Sequence, residues 1–337
     1  MKHMGVQATR LNNPKIFVTG GTGFIGSHLI EVLLAKGYAV RCLVRQTSNT
    51  RWLKTLDVEF VHGSLSDPDS LLPFLSDVEY IFHVAGITKA KRSQEYFRAN
   101  AESTKNLLTA AVHSGAPLKR FVLVSSLAAV GPSLDGVPVD ELTPYHPITA
   151  YGKSKMAAEQ YCHAVLDQIP ITIIRPPAVY GPRDRDIYAL FKLISHSIRP
   201  IMGSRKASLI YVRDLVEGIV MAAEHAATAG KTYFLADDRV YDWNLLGVLI
   251  ANALGKRTVA VRIPKSIALG VGCFVEATSI FSSKPPLLNL EKVRDLIQPN
   301  WTCSARRAHE DFGFSSQTPI ERGVAETVAW YKTAGWL

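Results

Sequence analysis

Tyr151 and Lys155 stand four residues apart in "TAYGKSK", Thr149 to Lys155, behind a run of loop-forming residues. On a helix, positions four apart share a face, with Cβ atoms roughly 5–6 Å apart. A phenol and an ammonium so placed are neighbours. The cation favours phenolate and lowers the tyrosine from its ordinary pKa of about 10. A phenol titrating nearer neutrality can donate or accept a proton. The same spacing also suits an exposed Tyr–Lys pair on a solvated helix, so the rest of the chain has to separate the two readings.

A second stretch that could do chemistry is "TGGTGFIG", Thr19 to Gly26, in which Gly20, Gly23 and Gly26 are spaced G-x-x-G-x-x-G. It lies between a β-rich run, "KIFVTG", and an amphipathic run, "FIGSHLIEVLLAKG". Glycines there allow a tight turn and close approach of a pyrophosphate, and the free N–H groups at the helix start attract the anion. The placement between the first strand and first helix of a βαβ unit distinguishes it from an ordinary turn. A discriminator is expected about 20 residues further on, where an acid would bind the ribose hydroxyls of NAD. Here the second strand ends in Arg45, with Thr47 and Ser48 following and no acid. An arginine pairs with a 2′-phosphate, so NADP(H) is favoured. An arginine lying over the adenine face would admit NAD(H).

The elements that must position these groups alternate from Lys15 onward. "YAVRCLVR", "VEFVHG", "VEYIFHVAG", "RFVLVSS" and "ITIIRP" read as strands after the first, and "DPDSLLPFL" as a short helix. "AESTKNLLTAAVHSG" and "TAYGKSKMAAEQYCHAVL" read as longer helices. Nearly all-apolar strands between amphipathic helices indicate a parallel sheet covered on both faces. The expected fold is therefore α/β, a doubly wound parallel sheet of six or seven strands over residues 14–180. A smaller mixed α/β lobe for substrate follows over 181–337, with the chain free to cross back between the two. Residues 1–13 read as a flexible N-terminus.

Composition narrows the function. The chain has 337 residues, 47% of them hydrophobic and 20% charged, which is ordinary for a globular protein. The formal charge of +9 is scattered and forms no aromatic-interleaved stripe, so nucleic acid is not expected as a partner. Cys42, Cys162, Cys273 and Cys303 lie far apart without a Cys-x-x-Cys, so neither a metal site nor a disulfide framework is expected. Reduced thiols and an N-terminus without an apolar core point to the cytoplasm. "SIALGVGCFVEATSIF" is short for a membrane span, and carries Glu276. It reads as a buried or pocket-lining helix.

With these motifs in place the chain resembles the extended short-chain dehydrogenases/reductases, also called the NAD-dependent epimerase/dehydratase family. The resemblance runs from Lys15 nearly to the C-terminus. It rests on "TGGTGFIG", "HVAG" (His83 to Gly86), Asn100 in "RANAEST", "VSSLAAVG" (Val124 to Gly131), "YGKSK", "RPPAVYGP" (Arg175 to Pro182) and "LIYVRDLVEG" (Leu209 to Gly218). It implies a Rossmann-type sheet. It implies Tyr151 as general acid/base, with Lys155 lowering its pKa and binding the nicotinamide ribose. Ser126 would hydrogen-bond the substrate oxygen, with Ser125 as its rival. Asn100 would serve either a proton relay or a helix kink. Gly20, Gly23, Phe24, Ile25 and Gly26 would meet the pyrophosphate and Arg45 the 2′-phosphate. Ser64 and Leu65 would lie at the adenine, although the family often has Asp where Ser64 stands. Ala85, Gly86, Pro176 and Val179 would pass close to the cofactor.

Within that family "SSLAA" lacks the acid pair of the 4,6-dehydratases, and "SSLAAVGP" looks closer to the dihydroflavonol reductase and 3β-hydroxysteroid dehydrogenase branch. The resemblance implies an NAD(P)-dependent oxidoreductase acting on a small-molecule alcohol or ketone. Its pocket would be apolar, lined by 263–281 and by Tyr180 to Tyr188. A sugar-nucleotide epimerase is the alternative, with Arg183, Arg185 or Arg205 meeting a diphosphate. A non-catalytic NADP-binding redox regulator is a third reading, disfavoured because Tyr151 and Lys155 are both kept. The family also leaves room for a homodimer.

Overall fold

The computed structural model describes residues 14–279 and 290–337. The expectation for residues 1–13 lies outside them, as does the end of the 263–281 segment. The first half runs β1 (Lys15–Thr19), α1 (Phe24–Ala35), β2 (Ala39–Val44), β3 (Val58–His62), β4 (Tyr80–His83), α2 (Ser93–Tyr96), α3 (Ser103–His113), β5 (Arg120–Val124), α4 (Ala150–His163) and β6 (Ile171–Arg175). It continues through β7 (Ala178–Tyr180), α5 (Tyr188–Ser195), β8 (Ile198–Ile201), β9 (Lys206–Tyr211), α6 (Val212–Glu224) and β10 (Lys231–Phe234). The last part holds β11 (Val240–Asp242), α7 (Trp243–Leu254), β12 (Val259–Arg262), α8 (Lys265–Ser279), α9 (Leu290–Leu296), β13 (Asn300–Trp301), α10 (Arg306–Phe312) and α11 (Ile320–Thr333).

Seven strands form one sheet in the order β10-β6-β5-β4-β1-β2-β3, each pairing parallel. Side chains alternate across it, as a period of two requires. Phe17, Ile81, Phe121, Leu123, Ile171 and Ile173 enter one core, which includes Leu107 and Leu108 of α3. Ile16, Val18, Phe82, Val122, Val124 and Ile174 enter the opposite core, which includes Leu29 and Ile30 of α1 and Ile219 of α6. Burial on both faces explains why these strands read as unbroken apolar runs.

The seventh strand, β10, comes from well past residue 180 and pairs with β6, Lys231 lying beside Thr172. The sheet is thus completed by the later half of the chain. Two smaller sheets lie outside it. β9 takes β7 and β13 as parallel neighbours and β11 as an antiparallel one. β8 pairs with β12.

The expectation that "SIALGVGCFVEATSIF" forms a buried helix needs correction over its described part. α8 is buried on one side only: Ala268 and Gly272 are buried, while Ile267, Val271 and Phe274 are exposed. The space beside Gly272 is taken by Val293 of α9, which a Cβ there would approach to 2.9 Å. Tyr180 does not line a pocket; it is buried in the core and packs on Tyr211.

Candidate active site

In register, Thr19 lies beside His83, and His83 beside Leu123. The loops that follow β1, β4 and β5 therefore leave one edge of the sheet together. β1 lies between β2 and β4, where the strand order reverses, and such sheets bind ligands at that point.

The glycine loop fits a pyrophosphate. Gly20 has φ +74°, and a Cβ there would stand 2.5 Å from the Ala85 nitrogen. A Cβ on Gly26 would stand 2.2 Å from the Gly20 carbonyl oxygen. The loop is thus closed tightly on itself and on the turn after β4. α1 begins at Phe24 with no side-chain cap on Gly23 and no acid in its first turn. Its first N–H groups lack intrahelical partners and carry the positive end of the helix dipole. Arg45 follows β2 in an exposed turn held by Arg45 N to Ser48 Oγ and Ser48 N to Arg45 O, each 2.9 Å. At the end of β3, Ser64 N donates to Ser70 Oγ and the Leu65 carbonyl accepts from Asn106, each at 2.9 Å.

Asn100 sits in a π-helical turn, Phe97–Glu102. Its Oδ1 accepts from Ile87 N at 2.8 Å, and its Nδ2 donates to the Ile87 carbonyl at 3.1 Å and to Ser154 Oγ at 2.9 Å. The amide is engaged in fixing the Gly86–Ile87 turn. A Cβ on Gly86 would meet Asn100 Oδ1 at 2.8 Å and Lys155 Nζ at 3.4 Å. Behind it, Thr19 Oγ1, His83 and Thr104 Oγ1 form a buried chain, with contacts of 2.7 and 2.9 Å. Burial, and after it the Lys155 charge, pushes His83 down to about 3, so it stays neutral.

The two serines after β5 separate cleanly. Ser125 is buried and donates to Glu159. Ser126 begins a short 3-10 turn, its Oγ accepting from Ala128 N at 3.1 Å, and its hydroxyl lies near enough to the Tyr151 phenol to lower it. The sequence pairs Tyr151 with Gly152 for a steric reason. A Cβ on Gly152 would lie 2.2 Å from the Ala128 carbonyl oxygen, so only glycine lets α4 come this close to the serine turn. Thr149 caps α4, accepting from Gly152 N at 3.0 Å. Glu291, from α9, accepts from Ala150 N at 2.9 Å. Pro176 joins the turn, its carbonyl accepting from Leu127 N at 2.9 Å, and Val179 follows in β7, partly buried.

Lys155 is buried and donates to the Val124 carbonyl at 2.9 Å. Burial lowers it to about 8, with the Glu159 charge opposing. Tyr151 is raised, not lowered, to about 12, because burial outweighs the Ser126 hydrogen bond and the Lys292 charge. Lys155 is not among the groups that act on the phenol here, contrary to the expected lowering. The cation acting on the phenol is Lys292 of α9, which is paired with Asp295 at 2.9 Å. Asp186, bound to Lys89 and to Thr88 Oγ1, raises the phenol from another side. Around the ring itself stand Ile87, Ala90 and Tyr96, the last with its ring centroid 6.1 Å away.

Three residues of this site were missed in the sequence. Glu159 had a usable signal, since it lies four residues beyond Lys155 on the same helix. Glu291 and Lys292 had none, because they reach α4 from 141 residues away from Ala150, as the Glu291 bond records. Replacing Lys292 with methionine should raise the Tyr151 phenol further. An ultraviolet difference titration, with Tyr151→Phe as the blank, reads this directly; an unmoved titration would remove Lys292 from the site.

Of the arginines considered for a diphosphate, Arg183 and Arg205 are engaged elsewhere, while Arg185 is exposed. Arg183 binds Ser27 Oγ at 3.0 Å and Glu31 at 2.5 Å. Arg185 lies over the Trp336 ring, 5.5 Å from its centroid. Arg205 is buried and donates to the Leu296 carbonyl at 2.5 Å.

Comparison with known proteins agrees with this geometry. The NAD dependent epimerase/dehydratase family matches residues 16–236. A ceramide reductase of Caulobacter vibrioides is 33% identical over 96% of this chain and 96% of its own length. A putative dihydroflavonol 4-reductase of Synechocystis is 30% identical, covering 95% of each. The crystal structure of gox2253 superimposes with a TM-score of 0.80 at 28% identity, covering 96% of this chain and 99% of that one.

Proposed function

Because the chain belongs to the NAD dependent epimerase/dehydratase family, we propose that it is an NADP(H)-dependent reductase or dehydrogenase acting on an alcohol or ketone in an apolar setting. The observation that carries this reading is the Tyr151 phenol near Ser126, with Lys155 on the next turn of the same helix and an uncapped glycine-rich helix start on the same edge of the sheet. Gly20, Gly23, Phe24, Ile25 and Gly26 would hold the pyrophosphate, Arg45 the 2′-phosphate, and Ser64 and Leu65 the adenine. Ala85, Gly86, Lys155, Pro176 and Val179 would flank the nicotinamide half. The cofactor, when bound, supplies or accepts the hydride.

The protein's own part is to manage the oxygen. Ser126 and Tyr151 orient a carbonyl oxygen by hydrogen bonds, and negative charge builds there during reduction. Tyr151 then delivers its proton to that oxygen, or removes it in the oxidative direction. A phenol resting near 12 is fully protonated at neutral pH, which suits the donor role. Asn100 acts as a positioning residue through Ile87. The apolar wall of Ile87, Ala90 and Tyr96 suits a hydrocarbon flank beside the reacting carbon. The names of the relatives, a ceramide reductase and a dihydroflavonol reductase, favour the same class. The engagement of Arg183 and Arg205 weighs against a sugar nucleotide.

The test is a panel of ketones, including long-chain 3-oxo amides, flavonoids and steroids, run with NADPH and NADH beside UDP-glucose. NADPH should be consumed by an apolar ketone and not by UDP-glucose. Interconversion of UDP-glucose and UDP-galactose on tightly held NAD would overturn the reading. Calorimetry should find tighter NADPH than NADH binding. Arg45→Ala should remove that gap, at least tenfold, the usual worth of a charged hydrogen bond of about 1.5–3 kcal/mol. Equal affinities in the wild type would overturn the cofactor assignment alone.

A further inference from the structure

Between Asp242 and Glu276 the chain carries no acidic residue, yet it carries Lys256, Arg257, Arg262 and Lys265. All four are exposed. The same stretch holds a concentration of exposed apolar side chains. Val259 is 68% exposed and Val261 42%, both on β12, an edge strand exposed along its whole length. Ile267 is 57% exposed, and Val271 43%.

The two sides of α8 differ in what they meet. Ala268 and Gly272, four apart, form the buried side, and Gly272 packs on Val293 of α9. Ile267, Val271 and Phe274 follow the i, i+4, i+7 rule and make a second apolar stripe that faces outward. Only Ile263 and Pro264 separate β12 from α8, so the strand and the stripe are continuous in the chain. Ordinary surfaces scatter apolar residues singly; an apolar patch rimmed by charge marks an interaction site.

We infer that the β12–α8 face docks on an anionic lipid bilayer. The charge decides the occupant. An apolar helix of low charge led in by basic residues, with Glu276 at its far end as its one acid, suits the headgroup region of such a membrane, where apolar burial and attraction to anionic lipids add. A second copy of the chain would bring four further positive charges against these four. Crossing is excluded by length: α8 has 15 residues, and no helix among the described residues is long and apolar enough to span. The opposite side of α8 leads toward the candidate site through α9. α8 packs on α9, and Glu291 of α9 binds the first N–H of α4, next to Tyr151. The inference stands apart from the proposed reductase activity, since its readout is vesicle binding.

The test is co-sedimentation of the full chain with phosphatidylcholine vesicles, with and without phosphatidylglycerol. The protein should pellet with the anionic vesicles, more weakly as salt rises. Lys256→Glu/Arg257→Glu should reduce binding about tenfold or more by reversing charge at the surface. Ile267→Asp/Val271→Asp should reduce it as strongly by interrupting the stripe. Both sites are exposed, and unchanged thermal melting confirms that each variant is folded. Equal binding to the two vesicle types, or binding to neither, would overturn the inference. So would a wild-type dimer in light scattering that Ile267→Asp/Val271→Asp dissolves, since a second copy would then cover the face.

Discussion

Tyr151→Phe should lower turnover by about 10²–10⁴, the usual worth of a positioned proton donor, while folding and cofactor binding survive. Only the hydroxyl is removed, and the ring keeps its contacts with Ala90 and Tyr96. Ser126 loses its phenol partner but keeps its bond from Ala128 N. Lys155→Met should act differently, because Lys155 Nζ stands against Gly86 and the Val124 carbonyl rather than at the phenol. It should weaken cofactor binding and turnover together. The two substitutions should be strongly non-additive, since both act on one proton transfer. The pH dependence has a definite sign. Burial leaves Lys155 charged below about 8 and neutral above it. Cofactor affinity that depends on this charge should therefore fall as pH rises through about 8, and Lys155→Met should lose that dependence. Folding responds in the opposite sense. The folded chain releases this proton before the unfolded one, whose lysine titrates near 10.5, so stability gains as pH climbs from about 8 toward that value. A Tyr151→Phe enzyme that binds cofactor and keeps near wild-type turnover under saturating substrate would remove Tyr151 from the chemistry.

What the sequence made legible follows from how local each signal is. "KIFVTGGTGFIG" carries its strand, turn and helix start within a dozen residues, and β1, Gly20 and α1 lie where that pattern places them. β1, β4, β5 and β6 were equally readable, because burial on both faces leaves them nearly all apolar; β2 and the edge strand β3 show through despite Arg41 and Glu59. β10 was not, since "KTYF" is four residues long and joins β6 only through the tertiary fold. "DSLLPF" reads as helical and folds as a 3-10 helix with Pro73 inside it. α8 shows the limit of periodicity. An apolar run has the same spacing whether its second stripe meets a core or the outside, and only the placement of α9 separates the cases. "SS" at 125–126 offered two candidates of equal chemistry, and it is Glu159 that takes one of them away. The electrostatics of Tyr151 were least legible, because burial and Lys292 act on it more strongly than its helix neighbour.

Glu159 is therefore the residue whose loss should cost the fold most. It is fully buried at the back of α4, with Arg175 of β6 beside it. Arg175 Nε lies 3.1 Å from both carboxylate oxygens and Nη2 2.6 Å from one. Tyr145 donates to the same carboxylate at 2.7 Å, and Ser125 donates to its other oxygen. Arg175 also lies over the Tyr145 and Phe234 rings, 5.0 and 5.5 Å from their centroids. One carboxylate thus ties α4, the end of β5 and the end of β6 around the serine turn. Glu159→Ala would leave the guanidinium buried with Tyr145 as its polar partner. Breaking a buried pair by removing one member typically costs about 3–5 kcal/mol, because the remaining charge is uncompensated. Urea denaturation should show a loss of that size. Glu159→Leu/Arg175→Met should lose less than Glu159→Ala alone, since replacing both charges removes the desolvation penalty along with the attraction. Turnover should fall even in the double variant, because Ser125 would be free to rotate and Ser126 would lose the anchored strand end from which it faces Tyr151. A Glu159→Ala protein as stable as the wild type would mean that water or another group relieves Arg175. The separation of the two serines would then rest on something other than this carboxylate.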